Sequence, residues 1–115
     1  MSKSAVVITP ELEMSVIDIA QEELAQLQRA VDGYIEAVPL GDVMMWVNEE
    51  FVFRQDLLPN LLASAFFSEV GGTRPIFGTV VLTGGTDPEG YTLGLTAYEV
   101  SDIERMVREA RALFD

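Results

Sequence analysis

The stretch Pro75-Ile76-Phe77-Gly78-Thr79-Val80-Val81-Leu82-Thr83 decides the fold. Ile76, Phe77, Val80, Val81 and Leu82 form a near-continuous apolar run without polar alternation, the mark of a strand buried at the middle of a sheet. Such a strand needs partners on both edges, and the flanking sequence offers them. Downstream, Gly84-Gly85-Thr86-Asp87-Pro88-Glu89-Gly90 is a turn-rich connection to Tyr91–Leu95, which reads as a further strand and makes a hairpin with the first. Upstream, the β-rich runs Tyr34–Val38 and Val43–Val47 flank Pro39-Leu40-Gly41-Asp42, the composition of a hairpin loop. A third hairpin opens the chain: Val6-Val7-Ile8 and Met14–Ile19 meet around Pro10 and a Glu11-Leu12-Glu13 turn.

Three segments carry helical rather than strand periodicity. Leu24, Leu27, Gln28 and Val31 lie at helical spacing, with Glu22 and Glu23 in the first turn and Asp32-Gly33 at the close. Leu61–Phe67 is a short apolar helix started by Pro59-Asn60 and ended by Gly71-Gly72. The last segment places Val100, Ile103, Met106, Val107, Ala110, Leu113 and Phe114 on one stripe, opposite Arg105, Arg108 and Arg111. Two capping boxes compete for its start, Thr96 with Glu99 and Ser101 with Glu104, and the first is preferred. Glu104 with Arg108 and Arg105 with Glu109 are spaced as i, i+4 ion pairs. The whole predicts one α+β domain over residues 1–115: a mainly antiparallel sheet of about five or six strands, with two or three helices packed on one face.

Composition narrows function mostly by exclusion. There is no cysteine and no histidine, so thiolate chemistry, disulfides, the commonest general base and the commonest transition-metal ligand are all absent. The single lysine, Lys3, lies near the N-terminus, which leaves a Ser or Thr nucleophile without a usual activating partner. Gly71-Gly72 and Gly84-Gly85 belong to no phosphate-binding fingerprint and read as turns. Asp87-Pro88-Glu89-Gly90 lacks the acidic ladder of a calcium loop and is also a turn. No catalytic residue and no cofactor are expected. The four apolar residues Ala5–Ile8 are too short for a signal-peptide core, and the longest apolar runs, Val43–Val47 and Leu61–Phe67, fall far below the roughly 20 residues of a membrane span. A cytoplasmic protein without a membrane partner is the expectation.

Nineteen acidic residues against seven basic ones give a formal charge of −12, which repels nucleic-acid phosphates and anionic membranes. The same charge suits a basic partner protein, including one whose usual ligand is nucleic acid; it also serves solubility alone. Glu36, Asp42, Glu49 and Glu50 lie on or beside one predicted hairpin, and strand alternation with the register across the loop decides which of them share a side. Gathered, they would hold a hard divalent cation through oxygen ligands, as in a metal-binding regulator or hydrolase; scattered, they are a solvated sheet face. Trp46, Phe51, Phe53, Phe66 and Phe67 are either core or an exposed anchor, and exposed aromatics or sheet edges would also support a homodimer.

The succession Gly33-Tyr34-Ile35-Glu36 with Val38 and Leu40, Asn48-Glu49-Glu50, Leu58-Pro59-Asn60, Gly78 before a strand and Asp87-x-x-Gly90 resembles the phage and mobile-element family of domain of unknown function 3846. The Leu61–Arg74 segment departs from it in being richer in apolar residues. The resemblance implies a small accessory protein made inside a bacterial cell, and for an acidic chain it adds the reading of an inhibitor that offers carboxylates in place of DNA phosphates to a host defence protein. The partner-binding candidates are then Glu36, Asp42, Asn48, Glu49, Glu50 and Asn60. With Arg105, Arg108 and Arg111 gathered on the last helix, an acidic recognition face is expected away from it.

Overall fold

A computed structural model describes residues 2–114. Five strands and three helices follow in the order β1 (Ser4–Ile8), β2 (Met14–Asp18), α1 (Glu23–Val31), β3 (Ile35–Leu40), β4 (Val43–Asn48), α2 (Leu61–Glu69), β5 (Val80–Gly84) and α3 (Ala97–Phe114), with a single 3₁₀ turn at Phe51–Phe53 between β4 and α2. All strands pair antiparallel in the spatial order β2-β1-β5-β4-β3. This is the α+β fold with a five-stranded sheet, and the apolar run at its centre is β5.

Both hairpins at the sheet edges follow their turn chemistry. β1 and β2 pair from Ile8 with Met14 outward, and β3 and β4 close from Leu40 with Val43, leaving Gly41-Asp42 as a two-residue turn. Pro39 therefore belongs to β3 rather than to the loop, which an edge strand tolerates because one row of its N–H groups has no sheet partner.

Alternation along β5 sends Val80 and Leu82 to one face and Val81 to the other, and all three are buried. The first face is the main core: Val6, Ile8, Val38, Met45, Val47 and the two β5 residues, roofed by Ala63 and Phe66 of α2 and Ile103 and Val107 of α3. On the reverse face Leu27 and Val31 of α1 pack on Ala5, Ile19 and Val81. The helices thus cover both faces, not one. A central strand apolar on both sides requires it, since each aliphatic side chain left in water would forgo about 1.5–3 kcal/mol.

Two further expectations are corrected. Residues 75–79 leave the sheet: Asn60 N–H donates to the Ile76 carbonyl at 2.8 Å and Ser64 Oγ accepts from Ile76 N–H at 2.8 Å, so this segment pairs with the start of α2. Gly78, at φ +90°, turns the chain from there into β5. Tyr91–Leu95 is no regular strand; it is tied down by one bridge between Thr86 and Thr92 and by Leu95 N–H donating to Ser4 O, which carries Leu95 into the core and leaves Tyr91 exposed. The α3 stripe also ends early, for Leu113 and Phe114 run beyond the sheet into solvent.

The α3 cap forms as expected. Thr96 Oγ accepts from Glu99 N–H at 3.1 Å while a Glu99 carboxylate oxygen accepts from Thr96 N–H at 2.9 Å. The ion pairs Glu104–Arg108 and Arg105–Glu109 form at 3.2 and 3.1 Å, and Arg105 also binds Asp102. No helix among the described residues is long and apolar enough to cross a membrane.

Candidate functional site

The connection from β4 to α2 is held at both ends by a buried asparagine. Asn48 closes β4; its Nδ2 donates to Val31 O at 3.0 Å and Asp32 O at 3.2 Å, and its Oδ1 accepts from Glu50 N–H at 2.8 Å. The chain's exit from the sheet is thereby joined to the end of α1. The fit leaves no room at Gly33, where a Cβ would stand 2.7 Å from Asn48 Nδ2. Asn60 caps α2, its Oδ1 accepting from Ala63 N–H at 3.1 Å, while its Nδ2 donates to Ile8 O and Gly78 O at 3.1 and 3.0 Å.

Between these pins the segment is braced twice more. Phe51 is buried, its ring 6.1 Å from that of Phe77 and beneath the Arg74 guanidinium at 5.1 Å. Arg54 reaches in two directions, donating to the Asp32 carbonyl and carboxylate at 3.1 Å and to both Asp56 oxygens at 2.7 Å. Those bonds hold the Asp56 carboxyl down to about 2 from its ordinary 3.8, and they raise the Arg54 guanidinium further above its already high value. Near the far end Gly78 N–H donates to Leu58 O at 2.8 Å and Pro59 bridges Phe77.

What this frame presents is apolar. Phe53 is 83% exposed, and Val52, Leu58 and Leu61 are each at least half exposed, on a chain segment whose ends and middle are hydrogen-bonded. Glu49 and Glu50 stand exposed beside them, and the one basic residue of the segment, Arg54, is neutralised by two carboxylates. The result is an exposed aromatic and aliphatic tip, with Glu49 and Glu50 as an acidic collar at its start.

The sequence-derived candidates divide. Glu49 and Glu50 belong to this collar, and Asn48 and Asn60 are its internal supports, fully enclosed and occupied by the chain's own backbone. Glu36 lies opposite Val47 in the sheet and pairs with Arg74 at 3.6 Å. Asp42 occupies the turn at the other end of the hairpin, about 20 Å of strand from Glu49. The four carboxylates are therefore dispersed, and among the described residues no group of three or more acidic side chains could hold a metal ion.

Sequence reading left Phe53 open between core and exposed anchor, and it missed Val52 and Leu58 beside it. Phe51 and Phe53 look alike in sequence, and a 3₁₀ turn sends them in different directions, one to the core and one to solvent. The available signal was the absence of any period of 2 or 3.6 in Phe51–Pro59 despite its apolar content.

A family model described as domain of unknown function (DUF3846) matches residues 1–108, nearly the whole described chain. The chain belongs to that family. No curated protein and no solved structure matches it. The matched range includes the hairpin and the loop, and Asn48-Glu49-Glu50 and Leu58-Pro59-Asn60 stand at the two ends of the apolar tip.

Proposed function

We propose that this DUF3846 protein is a non-enzymatic binding or accessory protein that engages a basic partner, including a protein that itself binds nucleic acid, through the tip at residues 49–58. The setting implied by the family resemblance is a phage or mobile element acting on a host protein in a bacterial cytoplasm. The observation that carries the reading is Phe53, an almost fully exposed aromatic on a segment pinned by Asn48, Arg54 and Asn60. Aromatic anchors dominate interface energetics, and a pre-ordered one loses little conformational entropy on docking. Exposed apolar side chains on an ordered segment suit an interaction site, and Glu49 and Glu50 favour a partner of positive charge.

The test is affinity capture from bacterial extract on immobilised wild type, Phe53→Ser and the double variant Glu49→Lys/Glu50→Lys, with light scattering in parallel. A protein retained by wild type at low salt and lost from both variants supports the reading. Equal retention by all three, or a concentration-dependent homodimer abolished by Phe53→Ser, would contradict it.

A further inference from the structure

A recessed surface lies toward the opposite end of β4, lined by residues of both α2 and α3. The cleft between them has a volume of about 300 Å³, with Leu82 of the central strand, Phe66, Ile103 and Met106 forming its apolar floor. Leu40 and Val43, which flank the Gly41-Asp42 turn, form one wall. At the mouth stand Val70 and Tyr98, the latter 80% exposed.

All the charges lining this cleft are negative: Glu69, Glu99 and Asp102. The nearest base on α3, Arg105, is bound to Asp102 and Glu109, and Glu69 has no ion-pair partner among the described residues. Glu69 is also the last residue of α2, where the negative end of the helix dipole disfavours a carboxylate. Helix stability does not account for its position.

We propose that this cleft is a second binding site, occupied by a basic amphipathic segment of a partner protein that inserts an apolar side chain between the three carboxylates. A volume at the small end of ligand sites admits a side chain or two. The acidic rim rejects an acidic or phosphorylated segment and attracts Lys or Arg flanking the inserted residue. The site does not rest on the Phe53 tip, which lies beyond the far end of β4.

The probe is a helical 14-residue peptide of Leu and Lys in amphipathic order, with its Leu/Glu counterpart as control, followed through the methyl NMR signals of Val43, Leu82, Ile103 and Met106. The Leu/Lys peptide is expected to shift these methyls and the Leu/Glu peptide to leave them in place. Leu40→Trp, which fills the cleft at unchanged net charge, is expected to weaken binding at least tenfold, and exposed Glu69→Lys several-fold. Phe53→Ser is expected to leave it unaltered. Shifts scattered over the acidic surface, or affinity indifferent to both Leu40→Trp and Glu69→Lys, would overturn the proposal.

Discussion

At the scale of single residues, two buried asparagines hold the connection from β4 to α2. Asn60 satisfies one orphan amide of α2 and two carbonyls from separate parts of the chain, Ile8 and Gly78, all in the interior. Asn60→Ala removes a helix cap and leaves those carbonyls without partners, and is expected to cost about 3 kcal/mol in urea unfolding. Asn60→Asp keeps the cap acceptor but turns an oxygen toward both carbonyls, so it is expected to fall at least as far at neutral pH; either variant within 1 kcal/mol of wild type would refute the role assigned. Asp56 gives a pH signature. Its carboxyl is held near 2 in the folded chain against an ordinary 3.8, so its bond to Arg54 is complete above about pH 4 and is lost as pH falls through 2. The Arg54 side-chain Nε–H NMR signal should move in that window, and in Asp56→Asn the movement should shrink to what the Asp32 contact leaves. Asp18, held low by N–H groups of Lys3 and Ala20, follows the same direction.

At the scale of elements, the α3 cap decides between two sequence signals. Thr96→Ala is expected to cost about 1 kcal/mol, whereas Ser101→Ala, inside the helix and exposed, should be neutral or slightly stabilising. Thermal unfolding of the pair separates them; equal losses would mean the helix starts elsewhere. The cap, both edge hairpins and the centrality of Val80-Val81-Leu82 were legible in sequence because each rests on local chemistry or on a long apolar run. Residues 75–79 were not, because Ile76 and Phe77 have strand composition while their hydrogen bonds go to Asn60 and Ser64, remote in sequence. Tyr91–Leu95 failed for a similar reason, its backbone being claimed by Gly85 and Ser4 rather than by a ladder. Of the candidate site, Glu49 and Glu50 were legible as exposed charge. The exposure of Phe53 against the burial of Phe51 was not, since it depends on the 3₁₀ turn and on what Phe77 and Arg74 leave uncovered.

For the whole molecule, charge is the dominant long-range term. Ion pairs occupy Lys3, Arg54, Arg74, Arg105 and Arg108, all at partly or fully exposed positions where solvent screens them and each contributes little. Glu11, Glu13, Glu22, Asp42, Glu49, Glu50, Glu69, Asp87, Glu89 and Glu99 have no ion-pair partner among the described residues. Self-repulsion therefore outweighs pairing, and raising salt from about 0.02 to 0.3 M should raise the thermal midpoint by screening it. A midpoint that falls with salt would assign more stability to the ion pairs than the fold supports. On the proposed reading, such an acidic surface would attract a basic partner at long range and the apolar tip would complete the contact at short range. The central claim is that Val52 and Phe53 are exposed yet held as firmly as the sheet, and backbone ¹⁵N relaxation tests it most directly. Order parameters near 0.85 at both amides, matching β4 and α2, are the predicted result, and values below about 0.6 would contradict a pre-ordered anchor.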